Sequence, residues 1–513
     1  MKILSAAQTR ELDQATMQEQ GLTSAQLMER AAGVFVDWFC RHLSPADAGE
    51  ILILCGPGNN GGDGFTAARM LLQAGYELRI AHLLSSNFSD DWVRSRQLLP
   101  QTVAISSIEL DTLPVIRPGT VVIDALFGTG LNRPLRGVGA AVVTHLNEAN
   151  AQVIAIDLPS GLFADQPQPA DSPVVRATHT ITFGLPKLAM LLPQNAAFVG
   201  EWTVEDIGLS PAFIEQADTP WHLTQLPQET TIIATPPRLR YDVSLPRRDK
   251  FAYKNTFGHA LLLAGSRGKM GAAVLAAGAC LRGGAGLLTV AVPGGGYDII
   301  QTTRPEAMCL PDTNPDHLSE LPDLGPYQAV GIGPGLGQEA ASLAVLRQLL
   351  RTAKVPLVID ADALNLLGSH RALLKLLPPD TVLTPHVGEF TRLTEKARDD
   401  YHRLELLRDF AREHRCLVVL KGAYTTVADR DGQLYFNTTG NPGMAGGGSG
   451  DVLTGLLLAL RADQRLAPLP AVRLAVLAHG HAGDLAVRET GEAGLVAGDL
   501  VAHIGPALRD LTA

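Results

Sequence analysis

From residue 51 the chain alternates short apolar runs with longer segments of helical period: "ILILCG", a glycine turn, "GFTAARMLLQAG", then "ELRIAHLL", "TVVIDALFG" and "AQVIAIDLPSG". Apolar runs of this length between helical patterns predict buried parallel strands joined by crossover helices. Ahead of them, "SAQLMERAAGVFVDWFCRHL" sets Leu27, Ala31, Val34, Phe35, Trp38 and Phe39 on one stripe, so a helix is expected to cover the sheet. A second alternating system has predicted strands "HALLLAGS", "GLLTVAVP", "YQAVGIGPG", "PLVIDADAL", "TVLTPH" and "CLVVLKGAYTTVA", with helices such as "GAAVLAAGACLRGG" between them. Residues 209–250 carry six prolines and no clear period, which puts a seam near 215–225 with a linker-like passage after it. No short repeat is visible, so two different α/β domains are expected, residues 1–217 and 225–513.

Length agrees with more than one core, since 513 residues exceed what a single domain usually holds. Hydrophobic residues make up 46% and charged residues 18%, the balance of a folded globular chain. With 52 acidic against 42 basic residues and no Lys/Arg run, nucleic acid and anionic membrane are poor main partners. "MKILSAAQTRELD" meets charge before a signal peptide's apolar stretch develops, and the most apolar tract, 270–293, is broken by Arg282, glycines and Pro293, so neither export nor a membrane span is expected. Cys40, Cys55, Cys280, Cys309 and Cys416 are scattered without a CxxC pair and read as reduced core residues of a cytoplasmic protein.

Candidate chemistry sits where strands end. In "CGPGNNGGDGFTAARML", residues 55–71, a strand runs through glycines into a helix, so backbone amides can approach an anion. It is neither GxGxxG nor a Walker loop, and a tight turn needing glycine for positive φ is the plain alternative. "DALFGTGLNRPLRG" and "IDLPSG" each set an aspartate, Asp124 and Asp157, at a strand's carboxyl end, where open α/β sheets bind ligands. Asn60, Asp124 and Ser160 are candidate hard oxygen ligands for a cation; ordinary turn or cap roles for the aspartates stand beside that reading.

Together these segments resemble the epimerase domain of the NAD(P)HX repair proteins over roughly residues 1–215. The resemblance implies a Rossmann-like three-layer αβα fold that interconverts the R and S forms of hydrated NADH or NADPH at C6 of the nicotinamide ring. It implies that Asn59, Asn60, Gly61, Gly62 and Asp63, with Gly128, Thr129, Gly130, Leu131, Asn132, Arg133 and Pro134, line the ligand. It also implies that Asn60, Asp124 and Ser160 hold potassium and that Asp157 binds the ligand as the acid/base residue.

In the second half, "NPGMAGGGSGDVLTG", residues 441–455, sets Gly448, Ser449, Gly450 and Asp451 before a helical run. An aspartate among free backbone donors suits phosphoryl transfer, with a simple N-cap as the alternative. "LKGAYTTV" offers Lys421, Gly422 and Thr425 to nucleotide phosphates, although a strand-end lysine alone is usually a solvated charge. "GIGPGLG", "DADALN" and "LTPHVGEFTRL" read as pocket walls; His386 is a ligand contact or a buried hydrogen-bonded histidine, and Glu389 a candidate to assist Mg²⁺ through water.

This set resembles the ribokinase-like superfamily, and within it the ADP-dependent NAD(P)HX dehydratases, over roughly residues 225–510. The resemblance implies a second αβα domain in which Ala272, Gly335, His386 and Asp451 contact the hydrated dinucleotide, while Lys421, Gly422, Ala423, Tyr424, Thr425 and Gly450 hold the adenine nucleotide. It implies ADP with Mg²⁺ as cosubstrate and Asp451 as the base. The ADP preference rests on the resemblance alone. Hydrated NADH/NADPH and adenine nucleotide are the expected ligands, with no nucleic acid or membrane partner, and a homo-oligomer is expected. A ribokinase-like sugar or vitamin kinase with an N-terminal ligand-sensing domain is the second reading, and an RNA-associated scaffold, disfavoured by the acidic charge, the third.

Overall fold

The computed structural model describes residues 1–169, 171–225 and 243–512. The chain divides into two compact units, Met1–Trp221 with Asp399–Tyr401, and His222–Arg398 with His402–Ala513. The expected linker-like passage falls largely on 226–242, outside the described residues.

In the first unit, β1 (Ile51–Cys55), β2 (Leu78–Leu83), β3 (Ile105–Ile108), β4 (Val121–Ala125), β5 (Gln152–Ile156), β6 (His179–Phe183) and β7 (Glu201–Glu205) form one sheet in the order β3-β2-β1-β4-β5-β6-β7. Every pair is parallel. Alternation along β1 shows why there are three layers. Ile51, Ile53 and Cys55 pack with Phe35 and Phe39 of the helix Ser24–His42 and Phe65 of the helix Asn59–Gln73. Leu52 and Leu54 pack on the other face with Val142, Val143 and Leu146 of the helix Gly137–Glu148. A strand buried on both faces loses the polar-apolar alternation, which is why "ILILC" reads as a continuous run. The strand order reverses between β1 and β4, the switch point at which such sheets open a crevice for ligands.

In the second unit, β8 (Trp221–Thr224), β9 (His259–Leu263), β10 (Leu287–Val292), β11 (Met308–Pro311), β12 (Ala329–Ile332), β13 (Leu357–Ile359), β14 (Val382–Leu383), β15 (Leu417–Leu420), β16 (Thr426–Ala428) and β17 (Leu434–Asn437) form a sheet ordered β11-β10-β9-β12-β13-β14-β15-β16-β17-β8. It is parallel from β11 through β15. The run "CLVVLKGAYTTVA" is not one strand: it turns back at 421–425, and β15, β16 and β17 are antiparallel neighbours. Lys421 and Gly422 interrupt the apolar run, and the turn they make closes on itself through Thr425 Oγ1, which donates to the Gly422 carbonyl at 3.0 Å.

Cys55, Cys280 and Cys416 are buried as expected, but Cys40 is exposed and Cys309 only half-buried; all five thiols are free. No helix among the described residues is long and apolar enough to cross a membrane.

Candidate active sites

The NNGGDG segment is the first turn of the helix Asn59–Gln73, entered from β1 through Gly58. Its glycines are not there for positive φ, because Gly58, Gly61, Gly62 and Gly64 all lie outside that region. Close approach is the reason: a Cβ on Gly61 would fall 1.9 Å from the Gly56 carbonyl oxygen. This turn abuts the β4 loop, where a Cβ on Gly128 would meet Asn60 Oδ1 at 3.2 Å. The remainder of Gly128–Pro134 is an open loop in which Asn132 and Arg133 are exposed.

Asp124, fully buried at the end of β4, accepts from the Ser160 hydroxyl at 2.6 Å and the Ser160 amide at 2.8 Å. Burial pushes its carboxyl up to about 6, against the pull of those hydrogen bonds. Asn60 Nδ2 is buried without a partner among the described residues. Asp124 and Ser160 are therefore in direct contact, and Asn60 reaches the same pair of turns through Gly128.

Asp157 follows β5 with φ 67°, a left-handed conformation that turns its side chain out of the strand. Its Oδ1 accepts from Lys187 Nζ at 2.5 Å and from Thr182 Oγ1 at 3.0 Å, and Lys187 Nζ also donates to Thr182 Oγ1 at 2.6 Å. Lys187 is 3% exposed, so this is an internal ion pair, not a surface one. Two further carboxyls face it. Asp13, on the helix Ala6–Gln20, is pushed up to about 6 by burial and then by the Asp157 charge, with Lys187 pulling the other way. Asp63 is pushed well above the carboxylate range by burial and by Asp157, Asp13 and Asp91.

The second constellation lies beyond the carboxyl ends of β12 to β15. Lys421 Nζ donates to Asp360 Oδ1 at 2.9 Å, Thr454 Oγ1 donates to Asp360 Oδ2 at 2.7 Å, and Asp360 is 1% exposed. A solvated surface role for Lys421 is thereby overturned. The helix Ser449–Ala462 is capped by Gly448, whose φ of 94° suits glycine, so Asp451 is its third residue and not its N-cap. Burial first, then the Asp360 charge, pushes Asp451 up to about 6 while Lys421 lowers it. Gly450 adjoins Lys421, since a Cβ there would lie 3.4 Å from Nζ.

The alternative of a buried His386 fails: its side chain is 55% exposed, and Nδ1 caps the helix Val387–Leu393 by accepting from the Gly388 amide at 3.0 Å. His386 and Lys421 are bridge partners, with the Lys421 amide donating to the Pro385 carbonyl at 2.9 Å. Glu389 is buried; its Oε2 accepts from the His386 amide at 2.8 Å and lies 3.9 Å from Lys421 Nζ.

Gly335 and Ala272 form a neighbouring wall, a Cβ on Gly335 falling 3.2 Å from Ala272 Cβ. Beside it Lys269 Nζ pairs with Asp362 at 3.0 Å, and a cavity of about 330 Å³ is lined by Ser266, Lys269, His317 and Gln338 among others. Asp362 acts electrostatically on Asp451, linking the two walls. Behind the Asp451 turn, burial lowers His479 to about 4; its Nε2 meets the Ser449 carbonyl at 3.0 Å, so this nitrogen carries the proton of a neutral ring.

The comparisons address both halves. The family model described as NAD(P)H-hydrate dehydratase matches residues 260–505, and that described as YjeF-related protein N-terminus matches residues 24–189. A chain of Moorella thermoacetica described as a bifunctional NAD(P)H-hydrate repair enzyme is 38% identical over 529 residues, spanning 100% of this chain and 97% of the relative. The chain belongs to the family of bifunctional NAD(P)H-hydrate repair enzymes. A Coxiella burnetii relative of the same description is 34% identical, covering 97% of each chain. Among solved structures, an ADP/ATP-dependent NAD(P)H-hydrate dehydratase of Bacillus subtilis, co-crystallised with ATP and Mg²⁺, is 33% identical with a TM-score of 0.45, covering 52% of this chain and 94% of that one. As a bifunctional NAD(P)H-hydrate repair enzyme the chain joins an isomerase to a lyase, and the sugar or vitamin kinase reading gives way.

Within this repair enzyme, Lys187, Asp13, Asp360, Thr454 and His479 are additions that the sequence motifs did not single out for chemistry. Asp360 had a signal, standing first in "DADALN". Lys187 had only "FGLPK" after an unassigned strand.

Proposed function

We propose that residues 1–217 interconvert the R and S hydrates of NADH and NADPH at C6, and that residues 225–513 return the S hydrate to NAD(P)H while ADP is cleaved to AMP and phosphate. The observation that carries the second half is Asp451, a half-buried carboxylate in the first turn of a helix, its carboxyl raised by desolvation and lowered by the nearby Lys421 charge. Asp451 takes the proton of the C6 hydroxyl as its oxygen bonds to the β-phosphorus of ADP and the bond to AMP breaks. The ring nitrogen's lone pair then expels phosphate from C6, and loss of the C5 proton restores the dihydropyridine. Lys421 and the amides at the helix start meet the charge on the transferred group. Ala272, Gly335 and His386 seat the dinucleotide, and Gly422, Ala423, Tyr424, Thr425 and Gly450 the adenine nucleotide. Mg²⁺ bound with the nucleotide would neutralise phosphate charge.

In the first domain Asp157 is the acid/base group, exchanging a proton with the C6 hydroxyl so that water leaves and returns on the other face. Lys187 and Thr182 hold its carboxylate in one orientation, and Asn59 to Asp63 with Gly128 to Pro134 line the dinucleotide. Potassium fits Asn60, Asp124 and Ser160: all three offer hard oxygens, and Asp124 is a buried carboxylate with no ion pair among the described residues. It would supply a fixed positive charge. A cytoplasmic location and a homo-oligomer complete the reading, with no nucleic acid partner.

One assay tests both halves. The protein is incubated with mixed NADH hydrate epimers, magnesium and ADP or ATP, and absorbance of reduced nicotinamide is followed. Full recovery is expected. No recovery with either nucleotide sinks the dehydratase, and recovery of a single epimer sinks the epimerase.

A further inference from the structure

A cationic cavity of the second unit lies at the opposite end of the Asp451 helix. A cavity of about 510 Å³ is lined by Arg247, Arg248, Arg282, Arg465 and Arg509, with Asp463 as its one acidic lining residue. This concentration stands in a chain of net charge −10. The cavity includes Ala459 and Asp463 at the end of the helix Ser449–Ala462. At 1.5 Å per residue Asp451 and Asp463 are about 18 Å apart along the axis, so the cavity is separate from the catalytic turn.

Compensation of helix dipoles explains only part of it. Arg282 and Arg509 lie in the last turns of the helices Met270–Arg282 and Ala497–Asp510, where a cation is favourable by roughly 0.3–1 kcal/mol. Arg247 and Arg248 come from the non-helical approach to β9, and Arg465 from beyond its helix, so no dipole calls for them. Arg248 and Arg465 stack over the same Phe257 ring, Cζ to centroid 3.9 and 4.7 Å. Burial and the neighbouring Arg465 lower the Arg248 guanidinium, a sign that like charges are crowded there. Asp463 is already engaged by Arg465, Oδ2 to Nη2 2.6 Å, and Arg509 reaches Asp510 at 3.3 Å. The Arg282 guanidinium makes no hydrogen bond or ion pair among the described residues.

Guanidinium forks match phosphate oxygens, and the volume lies in the range of small-molecule sites. We propose that this arginine-lined cavity is a second anion site, binding a phosphate-bearing small molecule away from the catalytic centre.

Equilibrium dialysis of the full chain with ADP at low salt tests it. The wild type is expected to bind two ADP per chain, and Arg282→Ala/Arg509→Ala one, the second affinity falling at least about 10-fold from the loss of charge-assisted contacts. Arg282→Lys/Arg509→Lys retains the second site with weaker affinity, and dehydratase turnover in both variants stays within twofold, which excludes misfolding. Inorganic phosphate forms a second arm: displacement of the second ADP by phosphate at similar concentration identifies the bare anion as sufficient, and failure to displace identifies the nucleotide. Binding of a single ADP by the wild type, with phosphate binding unchanged by the alanine pair, overturns the proposal, as does second-site binding that the pair leaves intact.

Discussion

Lys187 Nζ lies 2.5 Å from Asp157 Oδ1, both held by Thr182, inside the first unit. Removing the lysine leaves Asp157 facing Asp13 and Asp63 with no cation beside it. Lys187→Met is expected to lower epimerase kcat by about 100-fold or more, because Asp157 loses the group that orients it and general acid–base catalysis by a positioned side chain is worth about 100- to 10,000-fold. Recovery of the S epimer by the dehydratase should be unchanged, and Lys187→Arg should restore part of the epimerase rate. Chiral separation of the two hydrates during turnover measures it; normal epimerisation in the methionine variant removes Lys187 from the site.

Asp451 gives a prediction with two signs. Its folded value of about 6 sits above the ordinary 3.8, so dehydratase activity, which needs the carboxylate, should fall as pH drops through about 6. Stability runs the other way. A raised carboxyl favours the folded state while it is protonated, a contribution complete below about 4 and lost as pH rises through about 6. Asp451→Asn should therefore abolish dehydration, spare epimerisation, and stabilise the second unit above pH 7 by on the order of 1–2 kcal/mol, but not at pH 4. Thermal unfolding at the two pH values checks this, and a destabilised variant at pH 8 would contradict it.

Asp360 couples Lys421 to Asp451, anchoring the first and raising the second. Asp360→Asn should raise the ADP KM, because Lys421 loses its fixed partner, and move the acid limb of the kcat profile to lower pH, because a charge that raises Asp451 is gone. Thr454→Val, which removes only the hydrogen bond to Asp360, should do less of both. An unshifted pH profile in the asparagine variant would leave Asp360 with a purely structural role.

The parts of these sites that were legible in the sequence are those written locally. Asn59 to Asp63, Asp124, Asp157 and Asp451 all stand where an apolar run meets a turn, and parallel sheets put ligands at those ends. Lys187 was not legible because its meaning depends on Asp157, 30 residues away across β6, and periodicity carries no information about such pairs. Asp13 is similar: in a helix of weak amphipathicity ahead of the sheet, nothing local separates it from a solvated charge. "DADALN" marks Asp360 as a wall residue but not as an anchor, since Thr454 and Lys421 lie 94 and 61 residues away. The plain alternative for these glycines, a turn needing positive φ, does not hold at Gly61, which is fixed by the nearness of the Gly56 carbonyl and not by its own φ.

Asp124 tests the potassium assignment. A fully buried carboxylate supported by two hydrogen bonds from Ser160 costs stability when ionised unless a cation lies against it. Unfolding of the first unit should therefore occur at a higher temperature in potassium than in tetramethylammonium chloride of equal ionic strength, following the mass-action stabilisation expected for a ligand that binds only the folded state. Asp124→Asn removes the charge the ion compensates, so its unfolding temperature should be the same in both salts and its epimerase rate no longer responsive to potassium. Ser160→Ala, which keeps the carboxylate but deletes a hydroxyl donor to it, should retain a weakened salt response. A wild type indifferent to the cation in both unfolding and rate would leave Asn60, Asp124 and Ser160 as a hydrogen-bonded turn and nothing more.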